Sequence, residues 1–362
     1  MTAPTTWALY ASNEEAWNSM LADCQAATKS IVLEQFIFVK DELGQKLLDI
    51  CAERAATGVK VRFLWDAYGS FTFWGSNIIE ELRGKGIELT FWKTLLPEYT
   101  KVPSMRSWYL RNHRRTLVID ERIGYTGSIC FADAMKDWRD TNARFEGPVV
   151  ASMQYAFDRM WARAQKKKDL PQRRLPRDRE FSYETNYPAP GKRRMYRALV
   201  EAVRGAEQYV YLTTPYFVPP HRLIRVMKLA AHRGVDVRLL LPERSNYYSV
   251  DLGAQSFFTT LLESGVRIFL YPNKNGNIIH GKTAVVDGTW ATVGSLNLDH
   301  ASLLYNFEAN IVSSNSRFAE ELEAHFIRDI SISKEVSLAQ WKSRFFIERL
   351  PEIAIRFVRK FL

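Results

Sequence analysis

Residues 209–218 read YVYLTTPYFV, a β-branched and aromatic run that predicts a strand. A helical stretch through Ala231 follows, then a stop at Gly234 and a second strand-like run, VDVRLLL (235–241). The same plan occurs earlier: IVLEQFIFV (31–39), a helical stretch through Ala56, Gly58, and VKVRFLW (59–65). Further on, LRGKGIELTFW (82–92) is answered by LESGVRIFLY (262–271), each a helix end, a glycine and another strand. Strands alternating with helices of this length read as β-α-β units. The expectation is an α/β fold of two similar lobes, each a mostly parallel or mixed sheet flanked by helices, with one active site between them.

After each third strand comes a polar signature. In the second half it is His280-Gly-Lys282, Asp287, Gly294-Ser295-Leu-Asn297 and Glu308; in the first it is His113-Arg-Arg115, Asp120, Gly127-Ser128 and Glu146. The offsets agree, with His to basic residue 2, His to Asp 7 and His to Ser 15 in both halves. On a strand, residues two apart share a face, so each imidazole and its cation point at one substrate. The Asp falls at the strand's end, where a carboxylate can organise the turn or the partner motif. Ser295 and Asn297 offer a hydroxyl and an amide suited to phosphate oxygens, as does Ser128. Imidazole, ammonium, hydroxyl and amide together describe a phosphodiester site.

Composition bounds the partners. The chain has 362 residues, enough for two domains with sizeable cores. With 46% hydrophobic and 25% charged residues it lies far from disordered composition. Lys and Arg number 50 against 40 Asp and Glu, a net +10 that favours anionic partners: nucleic acid, an anionic membrane surface or phosphorylated substrates. The excess lies in two places. Residues 163–194 hold 11 basic and 4 acidic residues, and residues 341–362 hold 6 and 2.

Three cysteines, Cys24, Cys51 and Cys130, with no C-x-x-C pair, argue against a disulfide framework or zinc cluster and suit a reducing compartment. No run approaches the roughly 18–20 apolar residues of a spanning helix, and no secretory signal is visible. A membrane, if met, is expected to be met peripherally from its cytoplasmic side. These features divide the chain into a first lobe (1–162), a basic, proline-containing connection (163–194), a second lobe (195–335) and a basic amphipathic tail (336–362).

The paired motifs resemble the phospholipase D superfamily, whose signature H-x-K-x4-D-x6-G-S-x-N occurs twice per site. His280, Lys282, Asp287, Gly294, Ser295 and Asn297 match throughout; the first half matches at His113, Asp120, Gly127 and Ser128 but has Arg115 for Lys and Cys130 for Asn. Arg keeps a permanent charge and can clamp phosphate bidentately, whereas loss of the Asn removes a donor. The stretch WRDTNARFEGPVV (138–150) looks like the corresponding segment of bacterial cardiolipin synthases, and the similarity covers roughly residues 30–330.

The resemblance implies a phosphatidyltransferase that works without metal or other cofactor, through a phosphohistidine, and takes anionic phospholipids such as phosphatidylglycerol at a peripheral membrane surface. By the same resemblance His113 is the nucleophile and His280 the acid/base, with Arg115, Lys282, Asp120 and Asp287 completing the catalytic set. Ser128, Ser295 and Asn297 would hold phosphate, and Glu146 and Glu308 would each orient the opposite imidazole. Alternatives are a hydrolytic phospholipase D, a synthase of another headgroup, and a nucleic-acid phosphodiesterase; nucleic acid is not the expected partner, because the basic excess lies in the connection and tail.

Two surface features read either way. Trp65, Phe71, Phe73, Trp74, Trp92, Trp108 and Tyr109 suit core packing or a membrane-facing rim. Leu350, Ile353, Ala354, Phe357, Val358, Phe361 and Leu362 recur at helical spacing beside Arg356, Arg359 and Lys360, suiting an interfacial helix or packing on the body.

Overall fold

The computed structural model describes residues 4–73, 75–92, 110–168, 170–171, 173–273, 276–345 and 355. The first lobe contains β1 (Thr6–Ser12), β2 (Ser30–Gln35), β3 (Lys60–Asp66), β4 (Ile87–Trp92), β5 (Thr116–Ile119), β6 (Ile123–Gly127) and β7 (Arg139–Glu146). They form one sheet in the order β1-β7-β6-β5-β2-β3-β4. The second lobe contains β8 (Phe181–Asn186), β9 (Tyr209–Thr213), β10 (Phe217–Val218), β11 (Asp236–Pro242), β12 (Arg267–Tyr271), β13 (Thr283–Val286), β14 (Trp290–Gly294), β15 (Leu298–Asp299), β16 (Glu308–Ser313) and β17 (Lys334–Glu335). Its main sheet runs β8-β16-β14-β13-β9-β11-β12, with β17 added at the β12 edge.

The two orders correspond strand for strand. In each, the strands from β-α-β units pair in parallel (β2-β3-β4 and β9-β11-β12), and the rest pair antiparallel. Both sheets are therefore mixed.

Helices α1 (Asn13–Gln25), α2 (Glu42–Ala56), α3 (Ile78–Gly84) and α4 (Val149–Ala164) flank the first sheet. Their counterparts in the second lobe include α5 (Arg194–Gly205), α6 (His221–His232) and α9 (Ser316–Ser331), with α7 (Tyr248–Gln255) and α8 (Phe258–Leu262) between them and α10 (Leu338–Ser343) at the end. Local chemistry sets their limits. Asp41 caps α2 by accepting from Gly44 N, and Asn315 caps α9 by accepting from Phe318 N. Gly58 and Gly234, just past α2 and α6, take φ of +94° and +90°, which a side chain would oppose.

The repeat is longer than the sequence shows. Part of the 163–194 segment, read above as a connection, is β8, the edge strand that pairs with β16 and answers β1. The second lobe thus begins upstream of residue 195. Its signal was weak because FSYETN is polar at alternate positions and carries no motif.

Each lobe has its own core, and a third core joins them. That shared cluster packs Val32, Val118, Phe145 and Phe157 of the first lobe with Phe181, Val285, Val293, Ile311 and Phe318 of the second. Trp65, Phe73 and Trp92 are buried, whereas Phe71 is exposed. Trp74, Trp108, Tyr109 and the apolar stripe of the tail lie outside the described residues.

Candidate active site

The shared core brings the two motifs together. His113 and His280 lie in the extended segments that run into β5 and β13, and each is fixed by the other lobe's backbone. His113 N donates to Phe307 O at 2.9 Å and His280 N donates to Arg139 O at 2.7 Å. Both histidines are buried, at 8% and 5% exposure, so solvent meets little more than one edge of each ring.

Carboxylates then cross between lobes. His113 Nδ1 lies 2.8 Å from Glu308 Oε1, and His280 Nδ1 lies 3.1 Å from Asp140 Oδ2. A proton on each Nδ1 leaves Nε2 as an acceptor, and each accepts from a cation: His113 from Arg115 Nη2 and His280 from Lys282 Nζ, both at 3.0 Å. The same cations also donate to the carbonyl of their own histidine, at 2.6 and 2.7 Å. Phe36 packs edge-on to the His113 ring at 4.7 Å, and Trp138 tilts against His280 at 5.0 Å.

Glu308 reaches the opposite imidazole, but Glu146 does not. Glu146 pairs instead with Arg144, 2.7 Å away, and the carboxylate on His280 is Asp140. Both orienting carboxylates hold the same place in their strands, Asp140-x-Asn142 in β7 and Glu308-x-Asn310 in β16. Asp140 follows His113 by 27 residues and Glu308 follows His280 by 28, an agreement that Glu146, at 33, lacks.

The serines differ from expectation too. Ser128 Oγ donates to Asp140 and lies 3.1 Å from His280 O; Ser295 Oγ donates to Glu308 Oε2. Both hydroxyl protons are spent on carboxylates, so the serines hold the orienting groups rather than standing free for phosphate. Asn297, 2% exposed, leaves Oδ1 without a hydrogen-bond partner.

Asp120 and Asp287, assigned above to the catalytic set, lie outside it. Each lies seven positions beyond its histidine, roughly 20 Å along extended chain. Asp120 accepts from the backbone N–H groups of Thr28, Lys29 and Ser30, and Asp287 from those of Glu207, Gln208 and Tyr209. Each takes a left-handed φ, 53° and 51°, that short Asx side chains tolerate at tight turns.

Electrostatics separates the two halves. Burial and the neighbouring charges of Arg115 and Lys282 hold His113 well below its ordinary range. His280 is pushed down to about 4 by burial and Lys282, with Asp140 opposing. Burial takes Lys282 down to about 7 and pushes Glu308 well above the usual carboxylate range. Asp140 is different: although burial works against its charge, the hydrogen bond and charge of His280, with Lys282, keep it below that range. Among the described residues, no group of three or more His, Cys, Asp and Glu could hold a metal ion, and no helix is long and apolar enough to cross a membrane.

Two buried imidazoles on a duplicated α/β frame, each backed by a carboxylate of the other lobe and fronted by a cation, form the arrangement expected of a phospholipase D-type site. Residues 199–330 match the family described as cardiolipin synthase, PLD-like domain. Cardiolipin synthase A of Pseudomonas syringae is 31% identical over 97% of this chain and 73% of its own. A cardiolipin synthase of Listeria monocytogenes is 30% identical over 98% and 75%. The crystal structure of phosphatidylserine synthase from Haemophilus influenzae superposes with a TM-score of 0.74 at 14% identity, covering 98% of this chain and 92% of that one, so the likeness is one of fold. The chain belongs to the cardiolipin synthase family of phospholipase D-type phosphatidyltransferases.

Proposed function

We propose that this enzyme makes cardiolipin, transferring a phosphatidyl group from one phosphatidylglycerol to the glycerol hydroxyl of a second at the surface of a membrane. The observation that carries the reading is the crossed pair of clamped imidazoles, His113 on Glu308 and His280 on Asp140. Nε2 of His113 attacks phosphorus, forming a P–N bond while the P–O bond to glycerol breaks. His280 gives its proton to the departing glycerol oxygen. The second phosphatidylglycerol then loses its hydroxyl proton to His280, and its oxygen displaces His113 from phosphorus.

Electrostatics supports this division of labour. Asp140 keeps its charge and stabilises the imidazolium that His280 becomes, whereas Glu308 is biased toward neutrality. A bound phosphodiester anion raises the affinity of His280 and Lys282 for their protons. Arg115 and Lys282 neutralise the oxygens on phosphorus as charge builds there.

The test incubates the protein with phosphatidylglycerol vesicles and resolves products by mass spectrometry. Cardiolipin and free glycerol in equal amounts are expected; phosphatidic acid alone would overturn the transferase reading in favour of hydrolysis. His280→Asn should trap radiolabelled phosphatidyl on His113, and His113→Asn should trap none. Label only in His113→Asn would exchange the roles.

A further inference from the structure

The two halves of the site are unequal at one pair of positions. Counting 2 and 17 residues from each histidine gives Lys282 and Asn297 in the second half, but Arg115 and Cys130 in the first. Lys282 makes both of its contacts, to the His280 carbonyl and to His280 Nε2, with one nitrogen. Arg115 divides the same two contacts between Nη1 and Nη2. That leaves Nε, a donor that lysine lacks, inside a residue only 4% exposed. Its acceptor is Cys130 Sγ at 3.4 Å.

Size imposes a second constraint. The cysteine side chain ends at its γ atom and is fully buried. An asparagine there would put two heavy atoms, an oxygen and a nitrogen, beyond the γ position of a fully buried side chain, next to the guanidinium that Sγ now meets. Phe36, whose ring centroid lies 5.6 Å from Arg115 Cζ, limits movement on another side. Within the site read above, a guanidinium at 115 and an amide at 130 compete for the same buried space, and each half is read as a pair.

We propose that Arg115 and Cys130 form one unit that stands in for the Lys–Asn pair of the other half. Cys130 is a positioning residue: its sulfur receives Nε and its small size admits the guanidinium, so that Nη2 meets His113 and the planar fork is presented to the phosphoryl group.

A double-mutant cycle of Arg115→Lys and Cys130→Asn tests this, read by kcat and KM on phosphatidylglycerol vesicles and by calorimetric titration of inorganic phosphate. Each single variant should lose roughly tenfold or more in kcat, and the double variant should recover most of it. The double variant should also show a second deprotonation on the alkaline side of kcat/KM, because a lysine at 115 brings a second titratable ammonium to the site. Losses that simply multiply, or a Cys130→Asn enzyme within about twofold of wild type in both readouts, overturn the proposal. Should the amide prevent folding, Cys130→Ser and Cys130→Ala decide. The hydroxyl keeps size and acceptor and should stay within about threefold, whereas alanine should fall about tenfold; equal activity of the two overturns the proposal. A wild type that makes no cardiolipin sinks the function proposed above, while the phosphate cycle still judges the Arg115–Cys130 unit.

Discussion

Lys282 is the lysine of the proposed phosphate-binding pair, and its counterpart in the other half is Arg115. Burial lowers it from 10.5 to about 7, so it is charged below that pH and loses its charge above it. In the free enzyme kcat/KM should therefore fall as pH rises through about 7, and Lys282→Arg should remove that descent even at a cost in absolute rate. A pH profile unchanged by the substitution would assign the limb to another group. The orienting carboxylates make a second contrast. Asp140→Asn leaves the shape of the site intact but no longer favours the tautomer with a proton on Nδ1, and kcat should fall by about 10²–10⁴-fold. Glu146→Gln, whose partner is Arg144, should stay within about twofold of wild type. Equal losses would restore Glu146 to the site.

The strands place these residues through turns and close backbone approaches. The β13–β14 turn is held by Asp287, which gathers three backbone N–H groups at the start of β9. Asp287→Ala returns two of those donors to solvent and leaves the part-buried Tyr209 N–H without its acceptor, so it should cost about 1–2 kcal/mol in stability while leaving kcat per folded molecule near wild type; thermal melting and active-site titration separate the two. A kcat loss without a melting shift would return Asp287 to the catalytic set. Gly294 serves placement in another way. A Cβ there would stand 2.4 Å from Ala309 O and 2.5 Å from Asn310 Cα, so only glycine lets β14 approach β16 closely enough for Ser295 to reach Glu308. Gly127 repeats this against Asn142 in the first lobe.

The lobes are coupled because the site is divided between them. Each histidine takes its carboxylate and a backbone hydrogen bond from the opposite lobe, and Phe318 on α9 lies in the core that joins the sheets, edge-on to Trp7 at 5.8 Å and to Phe181 at 5.4 Å. Phe318→Ala should destabilise the protein by about 3–5 kcal/mol, and calorimetry should show one transition that moves as a unit. Two transitions, of which only one shifts, would mean that the lobes fold independently.

The local periodicities of 31–39 and 209–218 and the glycine stops at Gly58 and Gly234 were enough to establish a duplicated α/β chain, because strand propensity, helix termination and spacing are properties of adjacent residues. The recurrence of His, cation, Asp and Ser at the same offsets marked both halves of the proposed site. Which carboxylate meets which imidazole was decided elsewhere. His280 and Asp140 are 140 residues apart, and only the docking of one sheet on the other through Phe145, Phe181, Val293 and Phe318 brings them within 3.1 Å. Strand pairing within each sheet, β6 on β7 and β14 on β16, spends the serine hydroxyls on those carboxylates, and strand length alone removes Asp120 and Asp287 from the chemistry. Contacts of this kind belong to a packed core, whose apolar residues specify burial but carry no mark of their partners.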